Sequence, residues 1–201
     1  MKIVLIIIGV ILAIFVSIQI YAMSASSKSE TYPYAVIKKY DHFEVRSYEA
    51  TLFTSVKLPY KEYKEASSKG FSILAGYIFG GNEKNEKIAM TSPVAMALED
   101  SITMMFMVPK NKSKETLPKP NESGIEFKEE PAKTVAAITF GGWSSNEKIE
   151  KYKKELTDAL DTEGIAYTDH FFYLGYNPPF EVLNRRNEVI VELEIDDLNS
   201  K

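Results

Sequence analysis

From Ile3 to Ala22 the chain is apolar, interrupted only by Gly9, Ser17 and Gln19. A helix packed on the outside of a small water-soluble domain needs a polar face, and this run has none: Lys2 is the only charge before Lys28. Its length matches the roughly 20 residues that cross a hydrocarbon core and exceeds the roughly 7–15 apolar residues of a cleavable signal. It therefore reads as an uncleaved membrane anchor through residues 3–22. Cleavage is the alternative, because Ala22 with Ser24, or Met23 with Ala25, supplies a small-residue processing pattern. Lys2 and the terminal amine favour an N-terminus inside and a domain outside the cytoplasm, while Lys28 on the far flank weakens that bias. The expected location is a single-pass membrane protein with its domain outside the cytoplasm, or an exported, periplasmic protein if the segment is removed.

The chain divides accordingly. Residues 1–22 are the anchor or signal, 23–31 form a Ser-rich tether, and 32–201 are long enough for one domain with a real core. There is no cysteine, which excludes disulfides, thiolate metal sites and a Cys nucleophile. His42 and His170 are the only histidines, so a His-rich metal site is excluded as well. The net charge is −4 with no concentrated basic stripe, and nucleic acid is not an expected partner.

Within the domain, period and punctuation predict elements in a repeating order. Tyr34–Tyr40 and Phe43–Lys57 read as strands around an Asp41-His42 turn. Tyr60–Phe79 reads as a helix with Tyr63, Ala66, Gly70, Phe71, Leu74, Tyr77 and Ile78 at helical spacing, stopped by Gly80-Gly81. Val94–Leu98 and Ile102–Val108 follow as strands. After a Pro-containing connector over 110–124, Ile125–Glu129 and Thr134–Phe140 are strands. A second helix starts at Ser144, where Ser144 and Glu147 have capping-box spacing, and ends at Gly164. Phe171–Tyr176 and Glu188–Glu194 close the chain. Each half is strand-strand-helix-strand-strand, which predicts an α+β fold: a distorted antiparallel β-barrel or sandwich with two flanking helices, from a duplicated ββαββ unit. A cleft between the halves is the default ligand site.

Several ordered motifs carry a resemblance. They are Asn82-Glu83-Lys84-Asn85-Glu86-Lys87-Ile88-Ala89-Met90-Thr91-Ser92-Pro93-Val94, Gly175-Tyr176-Asn177-Pro178-Pro179-Phe180 and Arg185-Arg186-Asn187-Glu188-Val189. Tyr34–Lys39, Phe43–Tyr48 and Phe140-Gly141-Gly142-Trp143 support them. Together, over residues 34 to 194, they resemble the SOUL/haem-binding-protein family. The resemblance implies a distorted barrel from a duplicated unit, akin to the drug-binding domains of some bacterial transcription regulators. It also implies haem or another tetrapyrrole as a non-covalent ligand lying against the first helix. Carried onto this chain, that surface comprises Phe71, Leu74, Ala75 and Ile78. The sequence departs from the family where some members have a histidine, here Ser47, and where some place basic residues on the helix, here Ser68 and Gly76.

Each candidate also has a plain structural role. Phe71, Leu74 and Ile78 at helical spacing predict core packing, and only Ile73 and Tyr77 on a second side tip the helix toward a ligand. Met90, Met96, Met104, Met105 and Met107 suit an adaptable pocket, yet alternating Met in strands is more often core. Arg185 is the candidate partner for a propionate, against a solvated turn or an internal ion pair. His42 in a turn and His170 at a strand start read as solvated or loop residues rather than iron ligands, so no metal-ligating residue and no catalytic residue is assigned. The expected function is tetrapyrrole binding in an apolar cleft at the cell envelope, without strong axial ligation. The alternatives are a hydrolase of small hydrophobic electrophiles using Glu181 or Glu188, and an envelope protein whose cleft takes a partner segment. Trp143 packs on the second helix or lines the cleft.

Overall fold

A computed structural model describes residues 2–194. Helix α1 spans Lys2–Lys28, and strands β1 (Tyr34–Lys39), β2 (Glu44–Tyr48) and β3 (Thr51–Lys57) follow. Then come α2 (Tyr63–Ile78), β4 (Val94–Leu98), β5 (Ile102–Met107), β6 (Ile125–Glu130) and β7 (Lys133–Gly141). The described part closes with α3 (Asn146–Glu163), β8 (Tyr167–Gly175) and β9 (Arg186–Leu193). The nine strands make one antiparallel sheet in the order β1-β2-β7-β9-β8-β4-β5-β3-β6, curled into a half barrel.

The duplication is visible in that order. The units β2-β3-α2-β4-β5 and β6-β7-α3-β8-β9 meet where β4 pairs with β8. Their first strands are exchanged: β2 pairs with β7 of the second unit, and β6 with β3 of the first. This exchange explains one departure from the pattern reading. Phe43–Lys57, expected as one strand, is broken at Glu49-Ala50 into β2 and β3, because its two parts pair at opposite ends of the sheet. The β1–β2 turn does fall at Asp41-His42, closed by Tyr40 N donating to Phe43 O at 2.9 Å.

Alternation along the strands gives the sheet two buried faces. On β5, Ile102, Met104 and Phe106 face the layer under α2 and α3, while Met105 and Met107 face the other side. The sheet curls toward that second side. Tyr32 bridges Tyr48 of β2 and Phe53 of β3, with ring centroids 4.4 and 5.2 Å away, although these strands stand near opposite ends of the strand order. The strand methionines Met96, Met104, Met105 and Met107 are thus all core, each no more than 3 % exposed.

Helix α2 buries Ala66, Gly70, Leu74, Tyr77 and Ile78 against the sheet. Helix α3 is N-capped by Ser145, whose side chain accepts from Lys148 N at 3.2 Å. The cap therefore lies one residue beyond the expected Ser144, whose hydroxyl instead pairs with Tyr173 Oη at 2.8 Å. Gly164 ends α3 in the left-handed conformation at φ 64°, as its position after the apolar face predicts. Helix α1 continues through the Ser-rich stretch to Lys28, and among its described side chains Gln19 and Ala22 are buried.

Candidate functional site

The first candidate surface is the flank of α2. Leu74 is fully buried, and Ala75 and Ile78 are 7 % and 4 % exposed, so these three serve the helix–sheet core. Phe71 is half-buried, its ring 5.5 Å from that of Phe106, and Met90 is half-buried against the same core. Phe79, at the C-cap, is 63 % exposed. Phe71, Ala75 and Phe79 recur at four-residue spacing and so share one stripe, with exposed Lys64 one heptad before Phe71. The four-residue spacing extends to Phe79, which the sequence pattern marks only as the end of the helix. A void of about 10 Å³ beside Ile78, Ile88, Ala89 and Phe106 has room for about one water.

The second candidate is a cleft of about 320 Å³ between the N-terminal ends of α2 and α3 and the β4–β5 turn. Tyr63, Leu98, Ile102 and Ile149 form its apolar wall, with Lys61, Glu62, Glu99 and Lys153 around them. Its volume is at the lower end of the range for small-molecule sites. Because α2 and α3 belong to different units, this is the inter-half cleft that the duplication predicts. Its lining residues, scattered over three segments, had no motif by which to find them.

The third is an ionic cluster on the curled face of the sheet. Glu188 of β9 is fully buried, and both its oxygens are engaged. Arg46 Nη1 and Tyr176 Oη donate to Oε2 at 2.9 and 2.7 Å. Thr139 Oγ1 and Arg186 Nη2 donate to Oε1 at 3.0 and 2.7 Å. Arg46, itself 2 % exposed, also pairs with Glu44 at 2.9 Å. Burial pushes the Glu188 carboxyl upward, but hydrogen bonds and charge from Arg46 and Arg186 outweigh it and hold the group below its usual range. The same burial, reinforced by the Glu188 charge, raises the Tyr176 phenol and pushes Tyr48 up to about 12. Chemically this is an ionised, fully solvated-by-protein carboxylate, poorly suited to take a further proton. Glu181 is also buried, at 3 % exposed, within the loop between β8 and β9.

Arg185 braces that loop rather than standing free. Its guanidinium donates to Pro178 O at 2.9 Å and Glu181 O at 2.7 Å and stacks 4.1 Å from the Trp143 ring. His42 and His170 are both exposed, with His170 Nδ1 3.7 Å from Glu99 Oε1. Among the described residues there is no group of three or more His, Cys, Asp or Glu placed to hold a metal ion.

The family model described as SOUL heme-binding protein matches residues 29–192. The chain belongs to the SOUL family. Heme-binding protein 2 of Mus musculus is 32% identical over 156 residues, covering 73% of this chain and 76% of the relative. Heme-binding protein 1 of Sus scrofa is 28% identical over 172 residues, covering 80% and 90%. Among solved structures, the C-terminal domain of EcmrR superposes with TM-score 0.60 at 12% identity, over 76% of this chain and 96% of that one. A hydrolase from Listeria innocua does so with TM-score 0.51 at 10% identity, over 79% and 94%. At such identities the structural likeness concerns the fold alone.

This SOUL-family domain places its three departures at different depths. Ser47 is half-buried on β2, opposite Thr134 of β7. Ser68 and Gly76 are exposed on α2, and a Cβ at Gly76 would meet nothing within 4 Å. Neither α2 position therefore brings a cation to the helix, and Lys64 is the basic residue on the Phe71–Phe79 stripe.

Proposed function

We propose that this SOUL-family protein binds haem or a related tetrapyrrole by apolar burial on the α2 flank, at a cell-envelope membrane to which α1 anchors it. The observation that carries the reading is the pair Phe71 and Phe79 along one stripe of α2, which offers a half-buried and a largely exposed aromatic ring on the helix implied by the family. Leu74, Ala75 and Ile78 act by holding that stripe on the sheet, and Met90 supplies an adaptable edge. Lys64, about 10 Å along the axis from Phe71, is the cation for a propionate; Arg185 is occupied by the loop it braces. The names of the curated relatives support the ligand class. The apolar helix α1, with Lys2 before its span and the domain after it, supports the envelope location.

Haem iron is held by His, Cys, Met or Tyr side chains in proteins that ligate it. With both histidines exposed and off α2, and Met90 packed against the core as an edge of the surface, affinity here rests on burial of the flat ring. Haemin and metal-free protoporphyrin should therefore bind the full chain in detergent micelles one-to-one, with dissociation constants within about tenfold of each other. Absorbance titration against empty micelles is the measurement. Phe79→Ser, at a position 63 % exposed, should weaken both without unfolding the domain. A far stronger grip on haemin than on protoporphyrin would show axial ligation and refute the mode of binding.

The volume of the inter-helix cleft favours a second reading, in which a smaller hydrophobic ligand enters between Tyr63 and Ile149 under Lys61 and Lys153. Binding unchanged in Phe79→Ser but abolished in Ile149→Trp would move the site there.

A further inference from the structure

We infer that the loop between β8 and β9, with Trp143 beside it, is a membrane-contact surface that seats the domain on the bilayer crossed by α1. This rests on the reading of α1 as a membrane anchor. Among the described residues outside α1, large apolar side chains that stand more than 40 % exposed are few, and four of them collect here: Trp143 at 54 %, Phe180 at 49 %, Val182 at 43 % and Leu183 at 51 %. Arg185 ties them into one patch, stacking on Trp143 while donating to the carbonyls of Pro178 and Glu181.

The patch is joined to the anchor itself. Gln19, a polar residue inside the apolar span Lys2–Ser24, is 3 % exposed. Its side-chain nitrogen donates to Phe180 O at 3.0 Å, and its side-chain oxygen accepts from Val182 N at 2.9 Å. An amide in the apolar stretch is costly in lipid unless satisfied, and so is an irregular loop beside it. Each answers the other's need. Other loop carbonyls are engaged too: Asn177, Pro178 and Glu181 accept from Arg185, and Glu181 N donates to Pro178 O at 3.1 Å. Glu181, the loop's acidic side chain, is turned inward at 3 % exposed. The loop thus presents apolar side chains outward while the carbonyls of Asn177, Pro178, Phe180 and Glu181 are satisfied from within, which lowers the cost of a low-dielectric medium.

Depth agrees. Gln19 lies about 7.5 Å along the helix axis below Ser24, where the apolar span ends. A loop fixed at that level reaches the boundary between headgroups and acyl chains, where interfacial elements bury their apolar faces about 5–10 Å. Tyr21, 71 % exposed, and Trp143 are the residue types enriched at that level. The occupant of the patch is therefore the bilayer interface at the C-terminal end of α1, not free solvent.

Trp143 is the only tryptophan in the chain and reports on its own surroundings. The full chain is reconstituted in phosphatidylcholine vesicles, with and without a fraction of lipid brominated near the glycerol end of its acyl chains. We expect quenching of Trp143 by the brominated lipid and protection from aqueous acrylamide. Gln19→Leu, which leaves the span apolar, should still float with vesicles but lose most of the lipid quenching, as should Val182→Ser/Leu183→Ser. Flotation without lipid quenching of the unaltered chain overturns the inference while leaving the anchor intact. Failure to float removes the anchor reading and the inference with it. Acrylamide protection without lipid quenching assigns the patch to a second copy of the chain and also overturns it.

Discussion

Replacing Glu188 by glutamine tests whether the ionic cluster on the curled face is desolvated. The carboxylate is fully buried and takes hydrogen bonds from Arg46, Arg186, Tyr176 and Thr139. Breaking a buried pair by removing one partner costs about 3–5 kcal/mol. Two features pull the expected loss to the lower end. The Arg186 side chain is 40 % exposed and regains water, and Arg46 keeps Glu44 at 2.9 Å. We therefore expect about 3 kcal/mol in a urea titration of the full chain in micelles, or a fall of about 6–12 °C in Tm for a domain of this size. The double variant Arg46→Met/Glu188→Leu removes both charges and should recover much of that loss, because apolar replacement of a buried pair is often neutral. The pH dependence has a definite sign. The folded-state pKa of Glu188 is depressed, so its contribution is present in full above the unfolded carboxylate value of about 4.3 and is lost as pH falls through the folded value. The gap between wild type and Glu188→Gln should accordingly close in acid. A loss below about 1 kcal/mol at neutral pH, the range of solvated surface pairs, would refute the premise that the cluster is dry.

Further outcomes follow from other buried contacts. Asn82, 1 % exposed, donates to Tyr77 O and Glu86 O at 3.1 and 2.7 Å and accepts from Glu86 N at 3.0 Å, so Asn82→Ala should cost about 1–3 kcal/mol by urea titration. Gly81→Ala would place a Cβ 2.7 Å from the backbone oxygen of Gly76, and overpacking of this kind costs about 1–3 kcal/mol; an unchanged Tm would mean that the helix end gives way freely. The Tyr77 hydroxyl donates to Pro118 O at 2.9 Å in the core, and Tyr77→Phe should lose about 1 kcal/mol with no change in the denaturant slope.

Much of the architecture was legible because local rules carried it. Val94–Leu98 starts and ends where the turn residues around it predict, and Gly164 stops α3 as a left-handed cap. The ββαββ duplication was legible in the element order, although its first pair of strands is β2 and β3, not β1 and a single strand over 43–57. Its exchanged first strands were not legible, because pairing between β2 and β7 depends on which chain segments meet, and no short-range signal records that. The N-cap fell on Ser145 rather than Ser144 for a similar reason: Ser144 is drawn to Tyr173 across the fold. Among the candidate site residues, Phe71, Leu74, Ala75 and Ile78 came from the family resemblance, and helical spacing could not separate Leu74, fully buried, from Phe79, mostly exposed. Spacing names a face of a helix, and only the neighbouring sheet decides how far round that face is covered.

The sequence by itself determined that the first residues are apolar enough to cross a bilayer, that thiol and clustered-histidine chemistry is absent, and that the rest is a duplicated α+β domain of the SOUL family. These depend on composition, period and ordered motifs, which are properties of the chain in one dimension. Tertiary structure decided that Arg46 and Arg186 neutralise Glu188 inside the curl, that Arg185 braces the loop between β8 and β9, and that Gln19 joins the anchor to that loop. The contacts of Glu188 with Arg46 and of Gln19 with Phe180 span 142 and 161 residues of chain. Distances of that kind are set by how the whole sheet closes, and the local free energies that sequence patterns report do not contain them.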